Sequence, residues 1–490
     1  MLFHDCCKML YGEIFSLEVL QMKKKTLHIL AGPVVFLLCL LLLRGGFGQA
    51  AAAAVGLTVW MGLWWILRPV DIAVTALLPI VVNAMFNLVP AGHVISRYFA
   101  EIVVLLLGSD LVSMTWSRTG LDKRLAVMAL SCIGTSLKQQ IVVWLVVATV
   151  LSALLPNVVV AMILCPIGAS MLKFIGAEES IAQKIAVPIF LAVAWGSGIG
   201  GFGSPLGGAA NLTAIAYLEK LTGHEFMYVV WVIRFLPILV LVTVLNLVIL
   251  LCIPRPVEQL GDTKEYFQQL YRDMGPLRRG ELIGLVLFGT ATVLAFARPL
   301  FAGLLPAMRP AYVFFLCGML TFVLTDENGE VLLTWKEASK ELMWGMFFLF
   351  AGGLALGTLV TETGAATKLA ELIAVLPLSG GIETIGIFTV FSTFLTEISS
   401  NTAAASIAIP VVQSITEQLG LNPVPYILFV IVAVNCAYLL PVSTRAIPVS
   451  YGLNPGELFR WGLPLTVLNI LLTSALGWCL LQWGPLFSTL

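Results

Sequence analysis

Apolar residues fill long stretches of this chain, at about 27–44, 50–67, 70–90, 98–117, 140–172, 185–218, 228–253, 281–303, 310–325, 341–361, 383–415, 424–450 and 460–485. Most are long enough for a helix to cross a hydrocarbon core of about 30 Å, which takes about 20 residues at 1.5 Å each. One run is interrupted from within. Glu397 and then Ser399, Ser400, Asn401 and Thr402 sit in the middle of 383–415. Ser, Asn and Thr favour the first position of a helix over its interior. The pattern predicts a half-helix ending near Ile398, a polar tip, and a second half-helix from Ala403. Each half is about 20 Å long, too short to span, so the element re-enters. Such backbone persists at membrane depth only where it lines a cavity or is buried in protein. On this segment alone, a Ser/Thr-rich helix contact is an equal alternative.

An internal repeat changes that balance. Gly352, Thr363-Gly364, Asn401 and Pro410 each lie 244 positions after Gly108, Thr119-Gly120, Asn157 and Pro166, and Thr396 lies as far after Ser152. The 140–172 run is therefore a second re-entrant hairpin. Gly198–Gly208 and Ala437–Pro448 both interrupt apolar runs with glycine, proline and hydroxyl residues, predicting unwound helices at about 196–211 and 437–448. An odd number of crossings between the copies makes them inverted. Inverted repeats with paired broken helices are the pattern of secondary transporters, with substrate and ions near the midplane. The expected fold is all-α and polytopic, with about 11 transmembrane helices and two re-entrant hairpins in inverted repeats.

Charge orients the segments. Basic residues cluster at Lys23–Lys25, at Arg118, Lys123 and Arg124, and at Arg255, Lys264, Arg272, Arg278 and Arg279. A cytoplasmic amino terminus (1–25) puts all three clusters inside. It divides the chain into a first half (26–253), a cytoplasmic linker (254–280) and a second half (281–490). Arg298 and Arg309 dissent, falling in an outer loop. Residues 1–21 carry no usable pattern, and Met22 before Lys23–Lys25 is the expected start of translation.

Composition bounds the function. Of 490 residues, 59% are hydrophobic and 11% charged, where a soluble domain carries about 25% charged. The net charge of zero argues against nucleic acid as a partner. The nine cysteines and four histidines show no metal-ligand spacing, and no nucleotide motif is present. A membrane enzyme lacks a nucleophile–base pair, and paired broken helices suit alternating access better than a channel.

These residues resemble the divalent anion:sodium symporter family, whose members move dicarboxylates, citrate or sulfate. The likeness covers nearly all of the chain after Met22. It rests on Ser400-Asn401-Thr402, on the run from Trp64-Trp65 through Arg68-Pro69 to Pro79, on Phe350-Ala351-Gly352-Gly353 and on the Thr-Gly pairs. The resemblance implies a homodimer in the cell membrane, a scaffold and a mobile transport domain working by an elevator motion, and sodium ions flanking one small anion. Three departures stand out. The first tip reads Pro156-Asn157-Val158, without the family's Ser and Thr. The family's Gly-Thr-Pro-Pro-Asn appears as Gly207-Gly208-Ala209-Ala210-Asn211. Its second Thr-Pro-Pro is replaced by Thr444-Arg445-Ala446.

Burying a dianion at the midplane requires matched charge. Helix amino termini at the two tips supply N–H donors and partial positive charge. The expected substrate ligands are Asn157, Asn401, Thr402, Thr444 and Arg445. The expected sodium ligands are Ser152, Asn157 and the backbone of Gly207 at one site, with Thr396, Ser400, Asn401 and Ser443 at the other. With its motif degraded, the first site is expected to be the weaker. Arg445 has two readings: a two-point carboxylate fork that substitutes for a sodium ion, or a residue snorkelling or paired with Glu397. No cofactor is expected. Sodium is the expected coupling ion in symport of a divalent organic anion or sulfate. A proton-coupled transporter or exchanger, with Glu397, Asp110 or Glu101 as proton carriers, is the alternative.

Overall fold

The computed structural model describes residues 2–131, 134–176, 178–261, 263–373 and 378–483. Within them the chain is helical, its only extended pairings being two isolated bridges. Among the described residues, nine helices are long and apolar enough to cross a membrane, and four further apolar helices are shorter. Rows of exposed side chains such as Leu37, Leu41, Val240, Val244 and Val248 give these helices their lipid-compatible faces. The chain divides into two compact units.

One unit comprises Met1–Tyr98 with Trp344–Leu372. Its first helix, Leu2–Phe47, packs along Gln49–Leu67. The contact is made close by small residues: Ala52, Ala53 and Ala54 are fully buried, and a side chain at Gly56 would press on the carbonyl of Phe36. Arg68 ends the second helix in the left-handed conformation (φ 47°), and Asp71 caps the next by accepting from the Ala73 N–H at 2.8 Å. Gly352, in the Trp344–Glu362 helix, lies against the backbone of Ala76, where no Cβ fits.

The other unit comprises Phe99–Met343 with Ile373–Leu490. Here Gly108 lies against the backbone of Phe315 as Gly352 does against Ala76. Gly120 and Gly364 both end helices with positive φ (81° and 76°). The repeated glycines thus mark close helix approaches and helix ends. The 254–280 segment is docked rather than free. Leu137 N–H donates to Glu258 O, Leu260 N–H to Thr135 O, and Gln140 Nε2 to Thr263 Oγ1. Arg124 donates to the carbonyls of Met274, Gly275 and Pro276 and pairs with buried Glu281 at 2.8 Å.

Arg298 and Arg309, the two cations that oppose the charge rule, are neutralised locally. Arg298 pairs with Glu225 at 3.0 Å, and Arg309 with Glu101 at 2.6 Å and Glu219 at 2.7 Å. Topology rules count cations that face solvent or lipid headgroups, and these two face carboxylates. Glu101 is thereby committed to an ion pair, while Asp110 accepts from the Met343 N–H at 3.5 Å.

Candidate functional site: two broken-helix pairs

Leu137–Ser152 and Asn157–Ile175 form the first helix–break–helix, and Ile382–Ile398 and Asn401–Gln418 the second. The second break is two residues, and its following helix starts at Asn401, two residues before Ala403. Ser400 explains the difference: it is the N-cap, its Oγ accepting from the Ala403 N–H at 3.2 Å. The other interruptions fall at 201–208, between Glu179–Gly200 and Ala209–Thr222, and after Pro423–Asn435, where backbone from Cys436 to Val442 is non-helical.

Each hairpin builds the same three-part cluster. In the first, Ser152 Oγ meets Asn157 Oδ1 at 2.9 Å and donates to Ser197 O at 2.6 Å. In the second, Thr396 Oγ1 meets Asn401 Oδ1 at 2.9 Å and donates to Val434 O at 2.6 Å. A hydroxyl at the end of one half-helix, an amide at the start of the next and a carbonyl from the unwound helix converge in both. One hydroxyl proton cannot serve both oxygens at full strength, so each cluster is rich in oxygen lone pairs.

A chain of amides runs from the second cluster to the first unwound helix. Asn401 Nδ2 donates to Asn435 Oδ1 at 3.3 Å, and Asn435 Nδ2 to Asn211 Oδ1 at 3.3 Å. Asn211 Nδ2 then donates to Gly201 O at 2.6 Å and Ser204 O at 2.8 Å. Asn157 reaches Gly198 O at 3.4 Å. Gly201 stands between the tips. A Cβ there would come within 2.7 Å of the Asn157 amide and 3.0 Å of Asn435 Oδ1.

Around the second tip lies a buried ion pair. Glu397, 4% exposed, accepts from the backbone N–H groups of Tyr438, Leu439 and Leu440 at 2.5–3.2 Å. These are N–H groups that unwinding frees from helical partners, and the carboxylate satisfies them. Arg445, also 4% exposed, donates through Nε to Leu440 O at 2.7 Å, reaches Thr396 O at 3.4 Å and lies 3.5 Å from Glu397 Oε2.

The structure thus brings Ser152, Asn157, Thr396 and Asn401 into paired clusters. Gly207 lies beside Ser152, too close to its carbonyl for any side chain. Ser400 is a capping group. Thr402 and Thr444 are buried near the second break, and Ser443 holds φ +55°, a strained value for a residue with a Cβ. Arg445, with both a substrate fork and a pairing with Glu397 expected of it, has its guanidinium turned onto Leu440, Thr396 and Glu397. A buried guanidinium takes the nearest carboxylate and carbonyls, here the carboxylate of Glu397 and the carbonyls of Thr396 and Leu440. Sequence reasoning missed Asn435, which ends a continuous apolar run, and the carbonyls of Ser197 and Val434, which no side-chain pattern reveals.

A multi-pass helical membrane protein with two helix–break–helix elements meeting two unwound helices has the architecture of secondary transporters. Residues 23–488 match the model of the sodium:sulfate symporter transmembrane region, and the chain belongs to that family, the one its motifs resemble. It is 26% identical over 445 residues to the sodium-dependent dicarboxylate transporter SdcS of Staphylococcus saprophyticus, covering 86% of this chain and 84% of that one. It is 27% identical over 439 residues to the protein of the same name from Staphylococcus aureus, with the same coverage. Among solved structures, the YdaH transporter of Alcanivorax borkumensis superposes with a TM-score of 0.52 at 16% identity, covering 81% of this chain and 88% of that one. The family is one of transporters, not enzymes.

Proposed function

We propose that this chain is a sodium-coupled symporter of a divalent organic anion, in which Ser152 with Asn157 and Thr396 with Asn401 hold the coupling ions. The observation that carries the reading is the pair of matched hydroxyl–amide–carbonyl clusters, with the same 2.9 Å and 2.6 Å contacts at both tips. Sodium is a hard cation that takes oxygen ligands, and unwound-helix carbonyls are where coupling ions bind in such folds. The anion would lie between the amino termini of Asn157–Ile175 and Asn401–Gln418, where first-turn N–H groups and the helix dipoles favour negative charge. Thr402 and Thr444 are the side chains proposed to complete its site. The likeness to the two staphylococcal dicarboxylate transporters supports dicarboxylate over sulfate.

The test is uptake of labelled succinate, citrate and sulfate into proteoliposomes, with sodium and pH gradients imposed separately. Succinate uptake driven by the sodium gradient is expected. Uptake unchanged when choline replaces sodium overturns the proposal, and a response to the pH gradient alone moves the chain to the proton-coupled reading. The family resemblance also supports a homodimer and an elevator-type displacement. Mass measurement in lipid nanodiscs finding only monomers would remove the first, and crosslinks that lock the tips without stopping transport would remove the second.

A further inference from the structure

The groups around Arg445 form the ligand set of a cation. Two backbone carbonyls, Leu440 O at 2.7 Å and Thr396 O at 3.4 Å, and one carboxylate oxygen, Glu397 Oε2 at 3.5 Å, surround its guanidinium. They come from the end of a hairpin helix and from an unwound helix, the two kinds of backbone that coordinate coupling ions in inverted-repeat transporters. Thr396 belongs to both neighbourhoods, giving its hydroxyl to the Asn401 cluster and its carbonyl to Arg445.

The two halves differ at this point. Ser152 bonds the carbonyl of Ser197, and Thr396 that of Val434. The matching stretch is Gly208-Ala209-Ala210 in the first half and Thr444-Arg445-Ala446 in the second. At one site it carries no charge. At the other it carries a fixed positive charge, buried beside a carboxylate that already accepts backbone N–H bonds.

We propose that Arg445 is a tethered cation, its guanidinium filling an oxygen cage at the second hairpin that would otherwise take a sodium ion. The chain then moves its anion with one sodium fewer than the same protein carrying a small neutral residue at 445. Glu397 is the group that demands the charge. Its carboxylate holds the unwound backbone, and the guanidinium 3.5 Å away balances its buried charge. The inference rests on the sodium-coupled reading of the site.

The experiment uses the full chain in proteoliposomes, with labelled succinate as the probe and sodium titrated against choline. Wild type, Arg445→Lys, Arg445→Ala and the double variant Arg445→Ala/Glu397→Gln are compared by sodium Hill coefficient and by reversal potential. Arg445→Ala is expected to raise the sodium-to-succinate ratio by one and to steepen the sodium dependence. Arg445→Lys is expected to keep the wild-type ratio, and the double variant, lacking the demand for charge, to return to it. Wild-type uptake that ignores sodium refutes the coupling reading and this inference with it. A sodium-dependent wild type whose ratio is unchanged in Arg445→Ala refutes the tethered cation alone. If Arg445→Ala folds but does not transport, sodium must raise its melting temperature more than that of wild type, and an equal shift overturns the proposal. If it does not stay monodisperse, sodium but not choline must restore it during solubilisation, and failure of that rescue is likewise a refutation.

Discussion

The two hairpin tips look unequal in sequence and nearly equal in space. Pro156-Asn157-Val158 has lost both hydroxyls that Ser400-Asn401-Thr402 keeps, yet each tip builds the same cluster at the same distances. One of the missing hydroxyls, that of Ser400, has a different task. Ser400 caps the helix that follows it, whereas Pro156 makes no side-chain cap and holds φ at −54° through its ring. A motif can therefore lose the residues that start its helix while keeping those that gather oxygen. What separates the halves lies just beyond the tips, where only the second carries the Glu397–Arg445 pair.

Seven substitutions, in four tests, can break or sharpen this comparison. The largest effect is expected from Gly201→Ala, because its Cβ would press on Asn157 and Asn435 together. Overpacking of this kind costs about 1–3 kcal/mol and here displaces both clusters, so sodium-driven uptake should be lost. If only one site's ion dependence changed, the link between the tips would be wrong. Next, Asn157→Ala and Asn401→Ala should each lower uptake at subsaturating sodium by about tenfold to a hundredfold, as loss of a half-buried amide worth ~1–3 kcal/mol implies. A large loss for Asn401→Ala alone would restore the inequality that the sequence suggests.

The third test separates the hydroxyls. Ser152 is fully buried with its Cβ facing Gly200, where even a glycine-to-alanine change would leave 2.8 Å between carbons. Ser152→Thr should therefore be costly, about 1–3 kcal/mol in unfolding stability. Thr396→Ser keeps its hydroxyl and deletes one methyl, for about 1 kcal/mol and little change in half-saturating sodium. The smallest effects belong to the caps. Ser400→Ala should lower thermal stability by about 1 kcal/mol while moving half-saturating sodium less than about twofold. In Pro156→Ser, a gained cap of about 1 kcal/mol is set against ~0.4–1 kcal/mol of lost proline rigidity, leaving the melting temperature nearly unchanged.

Much of this arrangement is legible in the sequence because polar residues inside apolar runs have few explanations. Ser399, Ser400 and Asn401 announce a break, and the 244-residue repeat pairs Ser152 with Thr396 and Asn157 with Asn401. The third member of each cluster is a backbone carbonyl, which every residue carries and no pattern singles out. Asn435 leaves a fainter mark, a lone amide closing the apolar run from Pro423. Arg445 and Glu397 are visible as charges, but which anion Arg445 faces depends on where unwound backbone turns. Arg298 and Arg309 misled for a related reason: Glu101, Glu219 and Glu225, which neutralise them, lie about 70 to 210 positions away in sequence.

The run of amides from Asn401 through Asn435 to Asn211 has a direction, since each presents its oxygen to the neighbour on one side and its nitrogen to the neighbour on the other. An amide cannot reverse by itself without setting oxygen against oxygen or N–H against N–H. The row has one orderly setting, because the nitrogen of Asn211 faces the carbonyls of Gly201 and Ser204 and that of Asn435 faces the carbonyl of Ile431, where a turned amide would set oxygen against oxygen. The backbone carbonyls that hold the Asn211 nitrogen therefore set the sense of the whole row, Asn211 turning its oxygen to Asn435 and Asn435 turning its oxygen to Asn401. The first unwound helix thus dictates, through two intervening amides, that Asn401 presents its oxygen rather than its nitrogen to Thr396 at the second tip.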